Sequence, residues 1–500
     1  MARLALAFVV TVSMSPLAAQ QSAQPDGKQF APQTTQQAAP PAPAPESQSP
    51  SPAQQPGQGA QLRTGTTSGL STDARLRNLL ADHQYLRVQS QLNELPPDQA
   101  QFYRGILANR FNNLEQSVQL LEPLVDQVAA SGDAAQEKLL RKTLAEDYLR
   151  LGDWAKAGKA YQALDDRLHA NLSPDEQDEI EMPLKLLPLA KDDPLTTVDP
   201  CEPFRLQVSK DPLGLIDVTV FIDARSRTWM LDPTAPFNLI ARSTTHEVGL
   251  TVSQESATIH TLSGRPIKVH VTVIPRFTIG GRLTLHNVTA FVYDDADYYF
   301  PRSGYQVEGV LGYPALAAMG SLTVGDNTIQ VRPAREVAGS GSGDLLTDGA
   351  RFYLDGDRII IALGRTLDPT ADPASQDSSA ASSNTGSDDA RMFAIDAGSQ
   401  QTYLTSRYFD EHAAEFNSRK SEMYSFPGME SAPQPAYIAE SVSLVVGDTR
   451  IDLHYIPVLT QPLGSAAHDD VYGVIGIDAL DQLKSYTFDY RTMRFSARQE

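Results

Sequence analysis

One pattern occurs twice in this sequence, 164 residues apart, and this duplication limits the folds open to the chain. Asp232 falls on Asp396, and residues 309–312 (Gly-Val-Leu-Gly) fall on residues 473–476 (Gly-Val-Ile-Gly). The aspartate and the last glycine of the segment are 80 residues apart in both copies. The alternation common to all β-sheets does not by itself produce equal distances between an aspartate and a glycine segment. The sequence therefore predicts two copies of one domain.

Further identities follow the glycine segment in both copies. They are Ala315-Leu316 with Ala479-Leu480, Ser321 with Ser485, Thr323 with Thr487, and Thr328 with Thr492. Gly280-Gly281 and Gly447-Asp448 correspond only after a small insertion or deletion, which hairpin turns tolerate. The duplication therefore extends along most of each copy.

Residues after about Cys201 alternate apolar and polar side chains with a period of two, which predicts β-strands. The predicted strands are residues 215–222, 268–274, 283–293, 359–363, 441–446 and 451–458. The predicted fold class is mainly β in two lobes, residues 201–335 and 345–500, preceded by an all-α domain. Residues 365–390 are rich in Ser, Asp and Ala and predict a disordered insertion in lobe 2.

The all-α domain is predicted at residues 71–191, where the apolar period changes to 3.6. Its clearest series is Ala145, Tyr148, Leu151, Trp154, Ala157, Tyr161 and Leu164. Gly152-Asp153 interrupts the series and suits a tight turn between antiparallel helices. This segment resembles the tetratricopeptide repeat, with weaker copies before it. A plain helical bundle is the other interpretation. Either module is expected to bind a protein partner or to pack, and no chemistry is visible in it.

The N-terminus has the composition of an export signal. Arg3 precedes an apolar run from Leu4 to Val12, and small residues follow, so residues 1–20 are predicted to be a signal peptide. Residues 21–70 are rich in Gln, Pro, Ala and Ser and predict a disordered linker. No run is long enough to predict a membrane span. The protein is therefore expected to be exported, either periplasmic or secreted.

The formal net charge of −20 excludes some classes of function. A general nucleic-acid binder needs a basic face, and so does a protein that docks on anionic membranes. The one cysteine, Cys201, cannot form an internal disulfide. The nine histidines show no metal-binding spacing, and no cofactor motif is present. Neither a metal nor a cofactor is expected.

Each copy runs in the order strand, aspartate, small residues and, later, a Gly-apolar-apolar-Gly strand. This order resembles one lobe of the pepsin and retropepsin superfamily of aspartic proteases, and the resemblance covers about residues 201–500. It implies that Asp232 and Asp396 form a catalytic pair, and that Gly312 and Gly476 lie on strands supporting the two aspartate loops.

The resemblance also implies a mechanism and a substrate. In this family two carboxylates share one proton and activate a water molecule that attacks a peptide bond. The substrate would therefore be a peptide or a protein. Residues 260–271 and 423–436 are the candidates for the hairpins that cover substrate.

The residues after each aspartate depart from the Asp-Thr-Gly of the family. Pro233 and Thr234 stand in place of Thr and Gly in lobe 1, and Ala397 and Gly398 follow Asp396 in lobe 2. Both threonine hydroxyls, which in the family tie the two loops together, are missing. Two functions therefore stay open. One is an exported aspartic-type endopeptidase, and the other is an inactive protein of the same fold that binds peptides or acts as a scaffold.

Overall fold

The computed structural model describes residues 3–4 and 71–499, except residues 213, 234, 262–265, 301–303, 326, 336–348, 357, 367–390, 397–398, 417–418, 427–432, 447–448 and 464–468. The predicted linker lies outside the described residues, and so does the predicted signal peptide apart from Arg3–Leu4. Arg3–Leu4 is a short strand that pairs in parallel with His260 and Thr261. Residues 367–390 of the predicted insertion also lie outside.

Residues 72–190 form antiparallel helices, here called the helical domain. Its α-helices are Thr72–Ala81, Tyr85–Gln91, Pro97–Arg110, Leu114–Leu121, Val125–Ser131, Ala134–Arg150, Trp154–Leu168 and Pro174–Ala190, with 3-10 turns at Leu92–Glu94, Glu122–Leu124 and His169–Asn171. Gly152, with φ of 74°, turns the chain between two of these helices. Asp153 then caps the second helix by accepting the N–H of Lys156. No helix in the described part of the chain is long and apolar enough to cross a membrane.

Two β lobes follow, lobe 1 (residues 197–332) and lobe 2 (residues 350–498). Lobe 1 contains the strands Thr197–Val198, Phe204–Lys210, Ile216–Ile222, Arg225–Leu231, Leu239–Ala241, Ala257–Thr261, Pro266–Ile279, Leu283–Tyr293, Tyr299–Phe300, Tyr305–Gln306, Gly309–Leu311, Ser321–Gly325 and Thr328–Arg332, the helices Arg242–Val248 and Tyr313–Met319, and the 3-10 turn Asp295–Tyr298. Lobe 2 contains the strands Ala350–Asp355, Arg358–Thr366, Arg391–Ile395, Tyr403–Leu404, Glu422–Tyr424, Gln434–Val446, Thr449–Leu459, Gly473–Ile475, Ser485–Asp489 and Arg494–Arg498, and the helices Ser406–Phe416 and Ile477–Leu480. The predicted fold class, an all-α domain followed by a mainly β two-lobed region, is confirmed.

A six-stranded antiparallel sheet joins the two lobes. Its order is Phe204–Lys210, Thr328–Arg332, Ser321–Gly325, Ser485–Asp489, Arg494–Arg498 and Ala350–Asp355. At its centre Thr323 lies opposite Thr487, and their hydroxyl oxygens are 2.9 Å apart. These two threonines are equivalent in the duplication. The lobes are therefore related by an approximate twofold axis through this pair.

Two sequence expectations need correction. Thr328 begins a strand, whereas Thr492 lies in a turn, because the last hairpin of lobe 2 has a turn two residues longer than its counterpart in lobe 1. The equivalence of these two threonines was therefore wrong. The strand Arg358–Thr366 also extends past residue 365, so the first two residues of the predicted insertion pair in the sheet, opposite Leu444 and Ser443.

Candidate active site

Asp232 lies directly after a strand of lobe 1, in a loop fixed by backbone hydrogen bonds. Its N–H donates to the carbonyl of Leu311 at 3.1 Å, and its carbonyl accepts the N–H of Ala235 at 3.3 Å. The carbonyl of Ala235 in turn accepts the N–H of Tyr313 at 2.8 Å. The loop is therefore closed against the strand that bears the glycine segment.

Lobe 2 repeats these bonds residue for residue. The N–H of Asp396 donates to the carbonyl of Ile475 at 3.0 Å. The N–H of Ser399 donates to Asp396 at 3.1 Å, and that of Ile477 donates to Ser399 at 2.7 Å. Each bond is displaced by 164 residues from its counterpart, so the duplication holds at the level of single hydrogen bonds.

Gly312 and Gly476 lie where each loop crosses the supporting strand. A Cβ at Gly312 would lie 2.2 Å from the carbonyl oxygen of Phe237, and one at Gly476 would also lie within 3 Å of backbone. The N–H of Gly312 donates to Asn238 Oδ1 at 3.1 Å, and that of Gly476 donates to Thr402 Oγ1 at 3.0 Å. These two polar residues are not among the site residues predicted from the sequence. Their equivalence under the same shift is the signal that could have identified them.

Gly312→Ala should destabilise the protein by about 3 kcal/mol or more, because the added methyl group meets backbone that cannot move aside cheaply. Chemical denaturation monitored by circular dichroism measures the change. Gly158→Ala is the matched control, since its Cβ would make only an ordinary 3.5 Å contact with Leu187 inside a helix. The control should be neutral or slightly stabilising. Equal effects of the two substitutions would contradict the close approach.

Thr234, Ala397 and Gly398 of the predicted active-site loops lie outside the described residues. Pro233 is half-buried beside Asp232, which is 7% exposed. Asp232 also lies within electrostatic reach of lobe 2. Burial raises the pKa of Tyr490 in that lobe, and the charges of Tyr313 and Asp232 add to the increase.

The two aspartates leave their strands on one particular side of each lobe. Trp229 and Leu231 pack into the core inside lobe 1, while Met230 between them packs in a different buried cluster. Because side chains alternate along a strand, Asp232 lies on the same side as Met230.

The same alternation holds in lobe 2. Phe393 and Ile395 face the inner core, whereas Ala394 faces the other cluster. Asp396 therefore lies on the same side of the strand as Ala394. The surface formed by Met230 and Val310 in lobe 1 and by Ala394 and Val474 in lobe 2 is here called the aspartate face.

The helical domain covers the aspartate face. The four residues that define this face share one buried cluster with the helical core. Tyr85 packs edge-on against Tyr353 with ring centroids 4.8 Å apart, and Trp154 packs on Phe237 at 6.1 Å. Trp154 also donates its indole N–H to Thr289 at 3.1 Å. The helices therefore meet both lobes through a contact that resembles a protein core.

Buried charges fix the helical domain to lobe 2. The Arg110 guanidinium lies 2.9 Å from Asp355 and 2.8 Å from Glu146, and its side chain is 6% exposed. His83 places Nε2 2.9 Å from Asp470 and Nδ1 3.3 Å from Asp355. Despite burial, Arg110, His83 and Arg358 hold the pKa of Asp355 well below its usual range, and His83 and Arg358 do the same for the pKa of Asp470. Both carboxylates are therefore ionised at neutral pH.

A cavity of about 70 Å³ remains between the helical domain and the Asp232 loop. Pro233, Ala235 and Pro236 line it from the loop, and Arg150 and Tyr161 line it from the helices.

The hairpins predicted to cover substrate are present. In lobe 1, Ala257–Thr261 pairs with Pro266–Ile279, and in lobe 2, Tyr424 pairs with Gln434. Leu186 of the helical domain and Ile267 of the first hairpin line one small pocket, and the helix Pro174–Ala190 packs against both strands of this hairpin. The helical domain therefore contacts the lobe 1 hairpin as well as the aspartate face.

The contact between domains should depend on pH through His83. Burial lowers the pKa of His83, but Asp355 and Asp470 outweigh burial and raise the pKa above its ordinary value. A raised pKa adds stability that is complete below the unfolded value, about 6.5, and is lost as pH rises through the folded value. Burial raises the pKa values of Asp147 and Asp217 to about 7, so these groups ionise less readily in the folded protein than in the unfolded chain. This difference also lowers the free energy of unfolding as pH rises from about 4 to above 7.

The free energy of unfolding should therefore fall as pH rises above about 6.5. His83→Gln should make this decrease smaller, because the contribution of His83 is lost. Part of the decrease should remain, because Asp147 and Asp217 are present in both proteins. Urea denaturation of both proteins from pH 5 to pH 9 measures the difference. Parallel curves for the two proteins would show that His83 is not charged in the contact.

Among the described residues, no group of three or more His, Cys, Asp or Glu side chains is arranged to hold a metal ion. His83 and Arg110 are not among the residues predicted from the sequence, because no local pattern marks a helix residue that pairs with a carboxylate in another domain.

One family model and several solved structures are similar to parts of this chain. The aspartyl protease family model matches residues 217–315, which include Asp232 and the first glycine segment. A retropepsin-like aspartic protease from Rickettsia conorii is 15% identical, covering 25% of this chain and 98% of its own, with a TM-score of 0.20. Basic 7S globulin from soybean is 10% identical, covering 60% of this chain and 95% of its own, with a TM-score of 0.32.

Conglutin gamma, a basic 7S globulin from lupine seeds, is 11% identical over the same shares, with a TM-score of 0.34. No curated protein matches the chain. The similarity rests on the family model and on the equivalent aspartate loop of lobe 2, which repeats the hydrogen bonds of the loop in the matched segment. Residues 217–315 of this chain are therefore similar to the aspartyl protease family.

Proposed function

We propose that the protein is an aspartic-type endopeptidase in which Asp232 and Asp396 activate a water molecule. The observation that supports this most is the pair of equivalent loops, which present both aspartates on the aspartate face. Two carboxylates held close together share one proton, so one member takes a proton from water while the other donates to the peptide carbonyl. The leaving nitrogen then receives a proton and the peptide bond breaks.

The helical domain restricts access to this site. It covers the aspartate face through a buried contact, so the described arrangement is a closed one. A protein substrate would need the helices to move or the chain to be cut between the domains. We also propose that the protein is exported, on the basis of Arg3 and the apolar run that follows. A further protein partner of the helical domain stays a prediction.

A second candidate is a protein that keeps the fold without the reaction. Two observations favour it. Pro233 stands where the family has threonine, and the aspartate face is buried by the chain's own helices. Such a protein would bind peptides or hold a partner without cleaving it.

Mass spectrometry of a mixed peptide library, incubated with the full chain from about pH 3 to 7, separates the two candidates. The peptidase should produce cleavages that a statine-type inhibitor suppresses, because its hydroxyl group occupies the position of the attacking water. The peptidase would be rejected, and the second candidate left, if neither the wild-type protein nor the Arg110→Met variant, in which the helical domain is loosened, cleaves any peptide.

A further inference from the structure

The twofold relation between the lobes identifies a position in lobe 1 that corresponds to Asp355. Asp217 pairs with Met230 and Ser209, just as Ile360 pairs with Ala394 and Tyr353 in lobe 2. Asp211 follows Ser209 by two residues, and Asp355 follows Tyr353 by two residues. Asp211 and Asp355 therefore occupy equivalent positions.

In lobe 2 the carboxylate at this position, Asp355, is paired with basic side chains. Arg110 lies 2.9 Å from Asp355, and His83 approaches the same carboxylate at 3.3 Å. Both come from the helical domain rather than from the lobe. The position is therefore one at which a carboxylate of the lobe meets a basic side chain from outside the lobe.

The equivalent part of lobe 1 is more acidic. Asp217 stands where lobe 2 has the apolar Ile360, and Asp211 and Glu308 lie close enough for their charges to act on it. Asp211 and Asp217 are each 8% exposed. Asp217 Oδ1 is fully buried and accepts no hydrogen bond.

A buried carboxyl group with an unsatisfied oxygen costs free energy unless a partner supplies a hydrogen bond or a charge. Burial first, and then the charges of Asp211 and Glu308, raise the pKa of Asp217 to about 7. A guanidinium group would satisfy the oxygen and favour the ionised form. Glu308 and Tyr305 are only half-buried.

We propose that Asp211, Asp217, Glu308 and Tyr305 form an acidic pocket in lobe 1 that binds the arginine side chain of a peptide ligand, as Asp355 binds Arg110 in lobe 2. The pocket lies on the aspartate face, because Asp217 is paired with Met230. Asp217 lies opposite Met230, two residues before Asp232, so Asp217 and Asp232 are diagonal neighbours. Such neighbours on adjacent strands are about 7–8 Å apart. The bound arginine therefore belongs to the part of the peptide near the aspartates. This inference rests on the proposed function for the view that the ligand is a substrate.

The test uses fluorescein-labelled octapeptides that are identical except for Arg or Gln at one scanned position. Because the helical domain covers the aspartate face, the measurement uses the full chain and its Arg110→Met variant, in which the contact with Asp355 is lost. Fluorescence anisotropy should show at least about tenfold tighter binding of one Arg peptide than of its Gln counterpart. Asp217→Asn should reduce the Arg peptide to the level of the Gln peptide and leave the Gln peptide unchanged. Asp98→Asn, at an exposed position in the helical domain, is the control for the change in net charge.

Binding of the Arg peptide at pH 6 should also release a proton, since it ionises Asp217. Calorimetry in two buffers of different ionisation enthalpy detects the release, which Asp217→Asn should abolish. No binding, equal binding of the two peptides, or an Arg preference that survives Asp217→Asn would overturn the proposal. The readout is binding, so a protein that binds the Arg peptide and never cleaves it would retain the pocket and lose the proposed function.

Discussion

Asp396→Asn should lower peptide cleavage by roughly 10³-fold or more while leaving the fold unchanged. The substitution keeps the size of the side chain and the backbone bond to Ile475, but asparagine can neither hold nor transfer the shared proton. Cleavage of the best library peptide, followed by mass spectrometry, gives the rate, and circular dichroism shows whether the fold is kept.

Two further variants sharpen this result. Asp410→Asn makes the same change of charge at an exposed position of lobe 2 and should leave the rate unchanged. Asp232→Asn should be as inactive as Asp396→Asn, and the double variant should be no worse than either, because residues that act as one unit are not additive. Wild-type activity in Asp396→Asn would remove the aspartate from the mechanism.

Arg110→Met should destabilise the chain by about 3–5 kcal/mol, since it leaves buried carboxylates without their cation. Glu146 and Asp355 are both affected, at 2.8 and 2.9 Å from the guanidinium. Because Asp355 belongs to lobe 2, the same change should loosen the helical domain from the aspartate face. Urea denaturation measures the stability, and hydrogen exchange measures the loosening at strand Arg391–Ile395.

Arg75→Met is the matched control for this substitution. Its side chain is 33% exposed, and its ion pair with Glu94 joins two residues of the helical domain. The expected change is within about 1 kcal/mol, as for other surface pairs. If the peptidase is active, Arg110→Met should also cleave peptides faster than the wild type. A stable, unloosened Arg110→Met variant would show that the ion pair does not hold the domains together.

The sequence predicted the parts of this structure that depend on local pattern and on repetition. The alternation of apolar residues predicted the strands at Ile216–Ile222 and Leu283–Tyr293. The 164-residue shift predicted the equivalence of the two aspartates and of the two glycine segments. The strands could be predicted because they depend on the alternation of neighbouring residues. The equivalent aspartates and glycine segments could be predicted because the repeat is visible in the sequence itself.

The docking of the helical domain could not be predicted in the same way. Its charged contacts join residues far apart in sequence, such as Arg110 and Asp355, and each of these residues resembles an ordinary surface charge when read alone. One signal was present. Val310-Leu311 and Val474-Ile475 are apolar at consecutive positions, which indicates strands buried on both faces. Something had to cover the outer face, and the helical domain does so.

The most direct test of the account is the distance between the carboxyl groups of Asp232 and Asp396 in a crystal structure of the full chain. We expect carboxyl oxygens within hydrogen-bond reach of each other, about 3 Å, or joined by one water molecule. Aspartates separated by more than one water molecule, with Pro233 filling the space between them, would contradict the account.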